Sequence, residues 1–159
     1  MKYDDHCINL GRLWGNLQSL EVDLRLFLTQ ANPSKNYITS QDTFGTLVGE
    51  YNRQLSKDER SLYFADASVI DIRSALAHGL VIGGRRTRFP LTLLHKGQQA
   101  EMTVEWFDNP QTLVRKQEER ILACGKSRWP QLAWWDNDAT VAQSSPSALA
   151  TCDQVRGLR

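Results

Sequence analysis

Long apolar runs, clustered cysteines and an excess of either charge are all missing from this chain of 159 residues. Nothing approaches the roughly 18 apolar residues of a membrane span, and the opening MKYDDHCINL places adjacent acids where a secretory leader needs an apolar core. No targeting signal is expected, and a soluble, cytoplasmic protein is. Cys7, Cys124 and Cys152 are odd in number, far apart and without C-x-x-C spacing, which argues against a disulfide framework and against a zinc site. The formal charge of +1 sets up no global field, so any nucleic-acid partner has to be argued from local clusters. Histidine is scarce as well. His6, His78 and His95 are the whole supply, and no H-E-x-x-H, Walker-type loop, G-x-G-x-x-G or G-x-S-x-G occurs. Most enzyme classes are thereby left without a motif, and no metal or cofactor is expected.

What is present reads as one domain. Hydrophobic residues at 41% and charged residues at 23% are ordinary globular values, and the length allows a core without disulfides. Leu10, Leu13, Trp14, Leu17, Leu20, Leu24, Phe27 and Leu28 recur at spacings of three and four, predicting an amphipathic helix over about 5–30. Glu21 intrudes on that stripe, one heptad after Trp14 and one before Leu28, so it is expected to face other protein. A loop over 31–40 and a second helix near 41–55, weakened by Gly45 and Gly49, follow. Ser56 and Glu59 have capping-box spacing, so a third helix should start there and run to His78, with Gly79 in the left-handed position. TRFPLTLLH (87–95) and AEMTVEWF (100–107), joined by KGQQ, predict a hairpin whose first strand Pro90 confines to an edge. Asn109-Pro110 reads as the start of a fourth helix ending near Cys124. The expectation is a mainly α, up-and-down bundle over 1–125, with the hairpin inserted between the third and fourth helices. A tail over 126–159, partly docked or disordered, carries Trp129, Trp134 and Trp135, which either pack on the core or stack on bases.

The polar content of the third helix is the remaining source of chemistry. At about 100° per residue, Asp71, Ser74 and His78 share one arc, opposite Val69, Ile72, Leu76 and Leu80. Arg73 falls roughly 60° from Leu76, inside the apolar arc, and about 140° from His78. A guanidinium there needs a partner, and Glu21 is the obvious counter-charge. A structural Glu21–Arg73 pair is one reading of Arg73. For His78, a helix end stabilised by imidazolium at the negative pole of the dipole is likewise one reading. Arg85, Arg86 and Arg88 in GGRRTR either track a phosphate backbone or guard a sheet edge.

The segment IRSALAHGLV (72–81) resembles the R-N/D/H-x-x-x-H-G segment of the HEPN superfamily and stands at the end of the third expected helix, where that family carries it. LGRLWGNLQSLEVDLRLFL (10–28) is similar to the long opening helix of such proteins, and the resemblance spans about residues 5–125. It implies a metal-independent endoribonuclease, built as a homodimer with paired R-x4–6-H motifs. The chemistry so implied suits the residue types: the 2′-hydroxyl attacks its own phosphate once a base takes the proton, an acid protonates the leaving 5′-oxygen, and a cation holds the phosphate oxygens. Imidazole and guanidinium supply those roles, and since one imidazole cannot readily be acid and base together, two copies of the motif from a dimer would provide both. The setting it implies is a bacterial toxin or phage-defence (abortive infection) system, with RNA as substrate and an antitoxin or defence protein as partner. Carried over, the motif is Arg73 and His78, with Ser74 in the polar slot where Asn, Asp or His is usual, and Asp71 beside it in an orienting or structural role. Leu80 stands where the R-x4-H-x-Y subgroup has tyrosine. HEPN domains without activity also exist, so a non-catalytic module binding protein, nucleotide or RNA is the alternative.

Overall fold

A computed structural model describes residues 3–83 and 91–132. Helix α1 (Tyr3–Ala31) buries Leu13, Leu17, Leu20, Leu24, Phe27 and Leu28, the stripe its spacing predicts. The following loop is fixed by one side chain. Arg25 Nη1 donates to the carbonyls of Tyr37 (2.7 Å) and Ser40 (3.1 Å), and Nη2 donates to the Asp42 carbonyl (3.0 Å). That anchor delivers Thr43 as the N-cap of α2 (Phe44–Gln54), where its hydroxyl accepts from Thr46 N. Helix α3 (Lys57–Tyr63) opens with the capping box read from the sequence: Ser56 N donates to Glu59 Oε2 (2.8 Å), and Glu59 N donates to Ser56 Oγ (3.3 Å).

The expected single helix from Ser56 to His78 is in fact two. Residues 64–67 interrupt it before α4 (Ser68–His78). Side chains take up several of the backbone groups that a continuous helix would satisfy internally. Asn52 clamps Ala65 twice, donating Nδ2 to its carbonyl and accepting its N–H at Oδ1, both at 2.9 Å. Asp66 N donates to the buried Gln117 Oε1 (3.1 Å), Arg120 donates to the Phe64 carbonyl (3.1 Å), and Tyr51 Oη donates to the Tyr63 carbonyl (3.0 Å). Asp66 Oδ1 then accepts from Ser68 N (2.8 Å), restarting the helix.

The β structure also departs from expectation. It is a three-stranded antiparallel sheet in the order β1 (Leu80–Ile82), β2 (Thr92–His95), β3 (Gln98–Glu101). Strand β1 was not foreseen, and its pairing of Val81 with Leu93 follows directly from the end of α4. The hairpin turn is Lys96-Gly97 alone, with φ of 49° and 75°, and Gln98 and Gln99 already belong to β3. Two left-handed residues in succession match the twist of a two-residue hairpin, which explains glycine at the second position.

The strand expected over 100–107 stops at Glu101 because Thr103 caps a helix: its Oγ1 accepts from Trp106 N (3.2 Å). Helix α5 (Val104–Arg128) therefore begins before Asn109-Pro110, the dipeptide expected to start it, and carries Pro110 in its interior. It also runs past Cys124. Arg128 ties its end to α3, donating Nε to Glu59 Oε1 at 2.7 Å, and this pair holds the Glu59 carboxyl down at about 2.

α1 lies along α5 and α2, and α4 sits against α1, α2, α5 and β2. Leu17, Leu24, Phe27, Leu47, Tyr51, Val69, Phe107, Val114 and Ile121 fill the space between them. Trp129, just past α5, docks edge-on to Phe27 with ring centroids 5.1 Å apart. Trp134 and Trp135 lie outside the described residues. Cys7 is exposed and Cys124 buried, both free, while Cys152 is outside the described residues. Among the described residues, no helix is long and apolar enough to cross a membrane.

Two predictions follow from this packing. Asn52→Ala leaves both polar groups of the buried Ala65 without their partner and should lower stability by about 1–3 kcal/mol, read as a fall in the urea midpoint at constant slope. An unchanged midpoint would remove the clamp from the account. The second concerns Asp23, whose carboxyl is pushed up to about 7 by burial and by the Glu118 carboxylate across on α5. Since an unfolded aspartate ionises near 4, folding disfavours the charged form. The cost is absent at pH 4, grows between about 4 and 7, and is complete above 7. Asp23→Asn should therefore raise Tm at pH 8 and leave it nearly unchanged at pH 4, whereas an equal rise at both values would refute the assignment.

Candidate functional site

Helix α4 carries the motif, and the break before it sets its direction. Its last residue, His78, is exposed, while Arg73 and Ser74 are half-buried. Gly79 ends the helix with φ −73° and ψ 148°, not in the expected left-handed position. Its requirement for glycine is steric: a Cβ there would lie 2.2 Å from the Ala75 carbonyl oxygen and 2.5 Å from Leu93 Cδ1. The chain thus turns from His78 straight into β1, with β2 packed close beneath the turn.

A cleft of about 390 Å³ opens where α1, α2 and α4 meet, and Arg73, Ser74, His78, Glu21 and Asp42 all border it. Arg73 and His78, about 140° apart around the helix axis, reach it together because the cleft is broad and the arginine side chain is long. The expected Glu21–Arg73 ion pair does not form. Glu21 Oε1 takes Arg25 Nη2 at 2.8 Å, one turn along its own helix, where the partner needs no tertiary approach. Arg73 instead lies over the indole of Trp14, its Cζ 4.9 Å from the ring centroid. A cation over an aromatic face keeps its N–H groups available at the ring's margin, so this contact fixes the guanidinium and leaves it able to hold a phosphate.

Ser74 faces a second feature. Its Oγ lies 3.5 Å from His95 Nε2, a long hydrogen bond between α4 and the end of β2. His95 alternates with Leu93 on the strand, and both border a neighbouring cleft of about 510 Å³ together with Asp71, Lys96 and Trp106. Asp71 is exposed and forms a loose ion pair with Lys96 of the hairpin turn (3.8 Å). It does not touch the motif, and at that exposure the pair contributes little to stability. Arg85, Arg86 and Arg88, expected to contact RNA, lie outside the described residues. Among the described residues no group of three or more His, Cys, Asp or Glu side chains gathers to hold a metal ion.

Two contacts were not read from the sequence. Trp14 belongs to the apolar stripe of α1, and its contact with Arg73 depends on how α4 crosses α1, which no local pattern carries. His95 had a usable signal, alternation with Leu93 next to a turn, but its encounter with Ser74 comes from the sheet lying against α4.

If Trp14 supports Arg73, a double-mutant cycle of Trp14→Ala and Arg73→Ala should show a coupling of about 0.5–2 kcal/mol. The corresponding cycle of Glu21→Gln and Arg73→Ala should show much less, and the reverse ranking would restore the ion pair.

Comparison with family models, with curated proteins and with solved structures finds no match to this chain.

Proposed function

We propose that the chain is a metal-independent endoribonuclease of the HEPN type, acting as a homodimer in a bacterial toxin or phage-defence setting in the cytoplasm. In this reading the helices form an up-and-down bundle with the hairpin inserted ahead of the last helix. The observation that carries it is that Arg73, Ser74 and His78, the residues of the R-x4-H resemblance, border a single cleft. There Arg73, braced on Trp14, holds the scissile phosphate, and His78 exchanges the proton that transphosphorylation requires. Arg85, Arg86 and Arg88, which follow β1 in sequence, track the RNA backbone.

Support for a dimer comes from the strand next to the motif. Leu80, Val81 and Ile82 are 61%, 41% and 42% exposed on an edge strand, an apolar surface of the kind that self-associates. An antitoxin or defence-system protein is the further partner proposed. A second reading, a non-catalytic module binding protein, nucleotide or RNA, is favoured by one observation. The Trp14 stack gives Arg73 a fixed contact within the chain, without any substrate.

Purified protein incubated in EDTA with RNA and with DNA of the same sequence separates the two. Cleavage of RNA alone, leaving 2′,3′-cyclic phosphate ends and falling at least about 100-fold in His78→Ala, is the expected result. Equal cleavage by wild type and His78→Ala would leave the binding module as the better description.

A further inference from the structure

We propose that the face of α1 beside Arg73 is a base-reading subsite, where the Glu21 carboxylate accepts from the exocyclic amino group of a nucleotide flanking the scissile phosphate; this rests on the ribonuclease reading above. Arg73 does not end the cleft that carries the motif. A groove of about 460 Å³ lies over α1, bordered by Gln18, Glu21, Val22, Arg25 and Arg73. Glu21 and Arg73 border both this groove and the cleft of Ser74 and His78, so the two spaces meet at these side chains. A strand whose phosphate is held by Arg73 therefore brings a neighbouring nucleotide against Glu21, whichever space that nucleotide enters.

A carboxylate beside a phosphate site repels the ligand unless it has a donor of its own to receive. Asp42, the other acid bordering the motif cleft, is ion-paired with Lys35 at 3.0 Å. Glu21 is fixed by Arg25, whose Nε (3.2 Å) and Nη2 (2.8 Å) both donate to Oε1. Arg25 is itself anchored on the carbonyls of Tyr37, Ser40 and Asp42, so the carboxylate is oriented before any ligand arrives. Among the described residues Arg25 is its partner, and Oε2 is left open.

An oriented, half-buried acceptor of this kind suits a neutral donor, and the amino groups of adenine, guanine and cytosine are such donors on unpaired RNA. Uracil has no amino group, and its single ring N–H stands between two carbonyl oxygens that a carboxylate repels. The rest of the groove fits a base better than a ribose. Val22 is 53% exposed and offers an apolar surface on which the face of a ring can rest. Gln18, one turn earlier on α1 and also exposed, carries an amide that can donate to a ring nitrogen or carbonyl oxygen while its own oxygen accepts. The arrangement therefore selects bases that carry an amino group and rejects uracil next to the cut.

Oligouridylates with a single adenosine, guanosine or cytidine inserted, incubated with the full chain in EDTA, test this. For at least one of the three, wild type should cut at a phosphate flanking the inserted residue about 10-fold or more faster than within the uridine run. Replacing that residue by its counterpart without the amino group should abolish the preference: purine riboside for adenosine, inosine for guanosine, pyrimidin-2-one riboside for cytidine. In Glu21→Leu the ratio of the two rates should fall toward one. It compares two substrates on one preparation, so it is readable even where part of the variant is unfolded. Should Glu21→Leu not fold at all, the exposed Gln18→Leu decides, and an unchanged ratio there would count against the subsite. If wild type cuts mixed-sequence RNA without preferring any of the three inserts, the proposal falls and the ribonuclease reading stands. The same holds if Glu21→Leu slows every substrate alike with the preference intact, which would give Glu21 to the 2′-hydroxyl. If wild type cuts no RNA, both fall.

Discussion

Ala65 gives both of its backbone groups to the Asn52 side chain, and the geometry of the site depends on that exchange. A helix running unbroken from Ser56 would carry the segment after Tyr63 straight on along α3. The interruption at 64–67 releases it, and Asn52 of α2, Gln117 and Arg120 of α5 and the local cap from Asp66 take over the backbone groups that the break exposes. The redirected α4 then contacts α1, α2, α5 and β2. Arg73 meets Trp14 on one side of it, and Ser74 meets His95 on another. Loss of the clamp would leave buried polar groups without partners, at a cost comparable to a substantial part of a small domain's net stability.

The polar groups of the site are supported by structure and are not paired off among themselves. Glu21, the nearest obvious counter-charge for Arg73, is occupied by Arg25, which in turn anchors the 32–43 loop. The guanidinium of Arg73 is therefore held by an aromatic face, which fixes its position without neutralising it. That is the arrangement an anion-binding arginine needs, and it distinguishes the site from a structural ion pair, where charge would be cancelled before any ligand arrived.

How far the sequence reaches depends on whether a signal is local. The α1 stripe was legible because its three-and-four spacing repeats over about five turns, and the Ser56–Glu59 box because both partners lie within one turn. The break before α4 was not, since Asn52, Gln117 and Arg120 act on it from 13 to 56 residues away. At the sheet, MTVEWF alternates well enough to pass for a strand, and only the Thr103 hydroxyl, used as a cap, makes it a helix start. In the site, Arg73, Ser74 and His78 came from one short segment. Trp14 and His95, which contact Arg73 and Ser74, come from elements brought in by tertiary packing.

A structure of the chain with a short RNA made uncleavable by a 2′-deoxy substitution at the scissile position tests the account most directly. The ribonuclease proposal expects the scissile phosphate in hydrogen-bond contact with Arg73, with the His78 ring beside it in the cleft that both border. A phosphate bound away from Arg73, with both clefts beside α4 empty of RNA, would contradict it.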